Sequence, residues 1–298
     1  MPGRPKTLLA TLTLLGITAA WGSTFFLIKD LLERVPTLDF LGIRFAIAAV
    51  ALVLVAPRAL GRLSREARRH AIVLGLLYGL GQILQTAGLA HTPASVSGFI
   101  TGLYVVATPL FAAVLLHTRI TWLTWAAVLL AVIGLAVLTL DGLSVGYGEA
   151  LTFVAAMLYA LHIVGLGAWS TASDAMGLAI LQLIVIAVVC LVCTAPDGIV
   201  LPDRASDWAS LLYMALIPGA LGIVGQTWAQ AHLPPTRTAI VMSMEPVFAA
   251  FFAVLLGGES LTARMLLGGG LVLAAMYVVE LLGRRSPGAT ERLHHEVA

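Results

Sequence analysis

The chain has 298 residues, 60% of them hydrophobic and only 11% charged, with a formal net charge of +2. An ordinary soluble domain carries about a quarter charged residues, so this composition excludes a soluble enzyme. A membrane-spanning helix needs roughly 20 mainly apolar residues, because hydrocarbon offers the backbone no hydrogen-bond partners.

Ten such stretches follow one another along the chain. They run over Thr7 to Ile28, Pro36 to Ala56, His70 to Ala90, Ala94 to Leu116, Thr121 to Leu140, Tyr147 to Trp169, Ala175 to Ala195, Trp208 to Gln230, Thr236 to Leu256 and Thr262 to Leu282. The expected fold is an all-α integral membrane protein. The first stretch is longer than a signal-peptide core and has nine more after it, so it is read as a retained span. Cys190 and Cys193 lie within the seventh stretch and are read as small core residues.

Positive charge is distributed unevenly over the connections. Arg4, Lys6, Arg58, Arg62, Arg65, Arg68, Arg69, Arg119, Arg237, Arg284, Arg285 and Arg292 fall on one side, and Lys29, Arg34, Arg204 and Arg264 on the other. The positive-inside rule then predicts cytoplasmic N- and C-termini in a bacterial inner membrane.

An internal repeat organises the chain. Gln85-Thr86-Ala87-Gly88-Leu89-Ala90-His91-Thr92-Pro93 at the end of the third stretch is echoed by Gln226-Thr227-Trp228-Ala229-Gln230-Ala231-His232-Leu233-Pro234 at the end of the eighth, and Gly81 matches Gly222. Pro109-Leu110-Phe111-Ala112-Ala113 is likewise echoed by Pro246-Val247-Phe248-Ala249-Ala250. The expected architecture is ten transmembrane helices in two inverted five-helix repeats, residues 1–145 and 146–285, joined near Gly142 to Gly146 and followed by a disordered cytoplasmic tail, 286–298. Because five is odd, the second copy enters the membrane from the opposite side. Its loop Pro196 to Asp207 carries Asp197, Asp203 and Asp207 where the first copy's loop Pro57 to His70 carries five arginines. Inverted repeats place a substrate site between the halves near the bilayer midplane.

Trp21-Gly22-Ser23, Arg44-Phe45, Glu245-Pro246-Val247 and Gly258-Glu259-Ser260-Leu261, taken in order with the duplicated unit, resemble the EamA family of the drug/metabolite transporter superfamily, most nearly its YddG-type amino-acid exporters. That resemblance implies export of amino acids, other metabolites or toxic compounds. The first half departs from the family pattern: His117-Thr118-Arg119 stands where Gly-Glu is common, so the motif rests on Glu259.

Polar side chains within spans mark the expected cavity, since facing lipid is costly. Tyr78, Gln82 and Gln85 fall within about 60° of arc on one helix. Thr101, Tyr104 and Thr108 form a similar stripe, and Gln226 and Gln230 lie one turn apart. The third, fourth, eighth and ninth spans are therefore expected around the cavity. The glutamines could equally bond helices to one another. Trp21, Tyr78, Tyr104, Tyr159 and Trp228 offer flat apolar faces, while Trp122, Trp125 and Trp208 read as interfacial anchors. The ionisable groups within spans are Arg44, His162, Glu245 and, near a helix end, Glu280. Glu245 could bind an amine, take up a proton, or serve as a structural acid. Arg44 could hold a carboxylate but is expected to snorkel outward. His91 and His232, at helix ends, read as caps or interface residues. Pro109 and Pro246 are expected mid-helix as hinges, with close packing as the competing reading.

No P-loop, His-Glu-x-x-His motif or intramembrane aspartate pair supports an ATP-driven pump or an enzyme, and no cofactor or metal is expected. A channel is disfavoured because no ring of charge repeats. The expected function is alternating-access export of small organic solutes such as amino acids, with protons as a candidate coupling ion and no nucleic acid as partner. A lipid-linked, nucleotide-sugar or xenobiotic carrier is the alternative.

Overall fold

The computed structural model describes residues 4–115, 122–141, 144–171, 173–233, 241, 242 and 244–282. The His117-Thr118-Arg119 segment, the side chain of Glu280 and the 286–298 tail lie outside the described residues. The first half comprises α1 (Arg4–Leu31), α2 (Thr37–Val55), the short α3 (Ala59–Arg62), α4 (Arg65–Leu89), α5 (Ala94–Thr101), α6 (Tyr104–Leu115) and α7 (Trp122–Thr139). The second comprises α8 (Tyr147–Trp169), α9 (Ala175–Thr194), α10 (Ala205–Met214), α11 (Gly222–Gln230), α12 (Glu245–Leu255) and α13 (Ala263–Leu282). Between the halves, β1 (Leu140–Asp141) and β2 (Ser144–Val145) form a two-residue antiparallel ladder.

The fold is that of an all-α integral membrane protein. Among the described residues seven helical stretches are long and apolar enough to cross a membrane, and Trp125–Val137, Glu245–Leu255 and Ala263–Val278 are shorter apolar helices. Each long stretch is between 44% and 61% buried. One face therefore packs into the bundle while the other carries large apolar side chains outward, such as Leu54, Val55, Trp122, Leu129, Val192 and Leu267. In water such a surface would aggregate, whereas in a bilayer it is solvated by acyl chains.

Local chemistry sets the helix starts. Ser64 Oγ accepts from Ala67 N–H at 3.0 Å, capping α4. Pro246 lies in the first turn of α12, where its missing N–H leaves no gap in the ladder. This corrects the expectation of a mid-helix proline there, although Pro109 does lie inside α6. Two stretches expected to be continuous are broken. The fourth span bends at Gly102 and Leu103, between α5 and α6, where Leu103 and Val105 N–H groups bond three residues back in tightened turns. The eighth widens into a π-helical segment, Ala215–Leu221, around Pro218.

Helices of the two halves pair with one another: α4 with α8, α1 with α11, α2 with α9, and α7 with α13. Two matched glycines permit the first two contacts. A Cβ on Gly81 would stand 2.6 Å from the Tyr159 ring, and one on Gly222 would stand 2.8 Å from Trp21 Nε1. Each half thus yields space in its third span to an aromatic from the first span of the other. Cys190 is buried as expected, but Cys193 is exposed on the outer face of α9, the two being three residues apart on a helix whose inner face is narrow.

Candidate functional site

The polar stripe of α4 faces α8, and the two helices are joined by a continuous chain of hydrogen bonds. Gln82 Nε2 donates to Tyr159 Oη at 2.8 Å, Tyr159 donates to Gln85 Oε1 at 2.7 Å, and Gln85 Nε2 donates to Thr101 Oγ1 at 2.8 Å. All four residues are buried. Gln82 and Gln85 therefore bond helices together and also border a cavity. Tyr78 stacks on His162 with ring centroids 5.2 Å apart, and His162 Nε2 lies 2.7 Å from Gln182 Oε1.

Arg44 does not snorkel. It is 2% exposed, and its guanidinium lies 5.7 Å from the Phe40 ring centroid and 5.1 Å from that of Phe45. Its Nε donates to the Met214 carbonyl at 3.1 Å. The α-helical donor to that carbonyl would be the N–H four residues on, and Pro218 has none; a π-helical segment begins there in place of the α-type bond. The same proline's own carbonyl accepts from Trp21 Nε1 at 2.9 Å. A proline inside the eighth span was the sequence signal for this anchor, and the hinge reading passed it over in favour of Pro109 and Pro246.

Glu245 opens α12, where the helix dipole favours a carboxylate. It is 7% exposed and accepts from Tyr104 Oη at 2.8 Å.

These groups border one interior cavity of about 60 Å³, lined by Trp21, Thr24, Phe25, Ile28, Arg44, Tyr78, Gln82, Gln85, Thr101, Tyr104, Tyr159, His162, Ile163, Gln226, Met242 and Glu245. It therefore gathers Tyr78, Gln82, Gln85, Thr101, Tyr104, Tyr159, His162, Gln226 and Glu245, contributed by both halves. Trp228 and Gln230 lie outside the lining. Trp228 instead tilts against His232, 4.6 Å away, whose Nδ1 is 2.8 Å from the Trp228 carbonyl oxygen. Thr108 turns back onto its own helix and donates to the Tyr104 carbonyl at 2.6 Å. The wall also includes the first, second and sixth spans, which the polar stripes did not reveal. Trp21, Thr24, Phe25 and Ile28 stand at i, i+3, i+4 and i+7, one helical face whose spacing was the available signal. A larger depression of about 430 Å³ lies elsewhere, among Pro57, Arg58, Arg62, Asp174 and Gly177 at the chain's loop ends, and shares no residue with this cavity.

One end of the bundle is tied across the halves. Arg34 donates to both oxygens of Asp207, at 2.9 and 2.8 Å, and to Asp30 at 2.6 Å. Asp207 above all, then Asp30, holds this guanidinium more firmly protonated than an ordinary arginine. Glu259 accepts from Ala94 N–H at 2.5 Å, Ser95 Oγ at 2.5 Å and Ser95 N–H at 3.3 Å. It thereby caps α5 from the other half of the chain. Lys29 Nζ donates to the Thr92 carbonyl at 2.9 Å, beside the same helix start.

The chain is similar over 290 residues, at 28% identity, to an "uncharacterized transporter" of Archaeoglobus fulgidus, covering 93% of this chain and 87% of that one. It is 27% identical over 288 residues to a "probable terminal-alkyne amino-acid exporter" of Streptantibioticus cattleyicolor, covering 91% and 93%. A crystal structure shares the fold with a TM-score of 0.69 at 18% identity, over 93% of this chain and 99% of the other. The EamA-like transporter family matches twice, over residues 8–140 and 146–281. The chain belongs to the EamA-like transporter family and is a multi-pass membrane transporter of small molecules, not an enzyme.

Proposed function

We propose that this transporter exports small amphiphilic organic solutes, amino acids foremost, by alternating access in a bacterial inner membrane. The observation that carries the proposal is a cavity to which both halves of the chain contribute polar and aromatic side chains. Ten spans are the count that best fits the seven long helical stretches and three shorter apolar helices. The cross-half pairing of α4 with α8 and α1 with α11, and the two family matches, support two repeats at 1–145 and 146–285, and the loop charges favour cytoplasmic termini. Rocking one repeat against the other would open the cavity to each side in turn.

At about 60 Å³ the cavity has room for a few waters, far below the roughly 300–1,000 Å³ of a ligand-filled pocket. Loading a solute therefore requires the helices to part. The Gly102–Leu103 break and Pro109 in the fourth span, the Pro218 segment in the eighth and the start of α12 at Pro246 are the places where they would bend. The Streptantibioticus relative, by its name an amino-acid exporter, favours that substrate class here. Nucleotide-sugar or lipid-linked carriers would need several cations for their phosphates, and Arg44 is the one arginine or lysine in the lining.

The test is flux in liposomes holding the purified protein, with a panel of labelled amino acids and with or without an imposed pH gradient. Protein-dependent movement of some members is expected, and the gradient arm reads proton coupling. Tyr78→Ala, Gln82→Ala and Glu245→Gln should each lower that flux about tenfold or more with protein still in the membrane. Unchanged flux in all three would remove this cavity from the transport path.

A further inference from the structure

Two ionisable side chains of opposite sign, Arg44 and Glu245, border the same cavity. Among the described residues the ion pairs gather on Arg34, and neither Arg44 nor Glu245 joins one. A buried ion ordinarily survives only when paired or fully hydrogen-bonded. Arg44 has five N–H donors, of which, among the described residues, Nε alone meets a protein acceptor, the Met214 carbonyl. The Phe40 and Phe45 rings brace the guanidinium without occupying those donors. Glu245 receives one hydrogen bond, from Tyr104, and keeps acceptor capacity on its other oxygen. Both residues border the cavity, and each is held in place by a partner that leaves its charge unmatched.

We infer that Arg44 and Glu245 are the two recognition poles of a zwitterionic α-amino acid, the Arg44 fork taking the carboxylate and Glu245 the ammonium. This rests on the amino-acid reading above and assigns the ends of that substrate. With both groups ionised their charges sum to zero, and a zwitterion adds none, so loading one leaves the net charge of the cavity unchanged. A lone amine leaves Arg44 unmatched, and a lone carboxylic acid leaves Glu245 unmatched. The remaining wall sets the side-chain preference: Trp21, Phe25, Ile28, Ile163 and Met242 make it apolar. An aromatic or branched aliphatic amino acid is the solute with that shape of polarity.

The test is competition against labelled L-phenylalanine in the liposome assay, repeated as ligand-induced shifts in thermal unfolding of the detergent-solubilised protein. L-Phenylalaninamide lacks the carboxylate and 3-phenylpropionate lacks the ammonium. In the wild type each should compete at least about tenfold more weakly than phenylalanine, the worth of a charge-assisted bond. Arg44→Gln should erase the advantage of phenylalanine over its amide, and Glu245→Gln its advantage over 3-phenylpropionate. Arg44→Lys and Glu245→Asp, which keep each charge, should preserve the ligand order with a loss of a few fold, and they serve where a glutamine variant fails to fold. Should another amino acid of the panel be the one transported, its amide and deaminated acid take the same places. Equal competition by all three compounds in the wild type, or variants that weaken all three alike, would overturn the assignment while amino-acid flux itself still stood. If no amino acid moves or shifts unfolding, the amino-acid reading falls, and the poles fall with it.

Discussion

Tyr159 occupies the centre of the cavity wall because its hydroxyl is at once acceptor for Gln82 and donor to Gln85. Removing it by Tyr159→Phe keeps the ring, and the room Gly81 leaves for it, but strands two buried amide atoms. We expect a loss of about 1–3 kcal/mol, read as a lowered unfolding temperature, with reduced flux. Gly81→Ala attacks the same contact from the other side: its new methyl would collide with the Tyr159 ring, a rigid body in a packed wall. The Arg44 anchor admits a less obvious test. Pro218→Ala supplies the α-type N–H donor that the proline lacks, which would favour an α-helical turn here and compete with Arg44 Nε for the Met214 carbonyl. The eighth span should become more regular and the protein no less stable to heat, while apparent substrate affinity falls. Unchanged affinity in this variant would show that the anchor does not position Arg44.

Among the elements, α5 is held from outside itself. Its first turn takes its cap from Glu259, on the loop between α12 and α13, instead of from its own sequence, where Pro93 offers no side-chain acceptor. Glu259→Ala should destabilise the fold by about 1–2 kcal/mol, the worth of a cap with a favourable charge. The same contact, with Arg34–Asp207, joins the two halves at one end of the bundle. Breaking both should favour opening there. With Cys193 replaced and a reporter at Thr24→Cys, a membrane-impermeant maleimide applied to the outer side should label Glu259→Ala/Asp207→Asn faster than the parent. Equal rates would mean that these contacts do not close that end. The interruptions of the fourth and eighth spans belong to this scale too, since Thr101 and Tyr104 flank one break and the Arg44 anchor depends on the other.

For the whole molecule, the proposed inversion makes a sharp demand. The loop around Arg62 and the loop around Asp203 are equivalent by repeat, and both residues are exposed. In a background without Cys193, Arg62→Cys should react with an impermeant reagent only from the cytoplasmic side and Asp203→Cys only from outside. Labelling of both from one side would exclude inverted repeats. The all-helical membrane character was legible in the residues because it follows from additive quantities, apolar length and charge count. So were most of the polar cavity residues, since a glutamine or tyrosine stripe inside an apolar helix has few other places to face. What the residues alone left open was every property that depends on a neighbour far along the chain. Arg44 could have reached outward, but the Met214 carbonyl and the Phe40 and Phe45 rings hold it inside. Trp228 has the composition of a cavity residue, but packing against His232 turned it elsewhere. The first span's cavity face looked like ordinary apolar periodicity, and only its seat against α11 and the opposite half made it a wall. Hydropathy decides that a helix lies in the membrane, while which face it turns to its partners is decided by the shapes and hydrogen bonds that those partners bring.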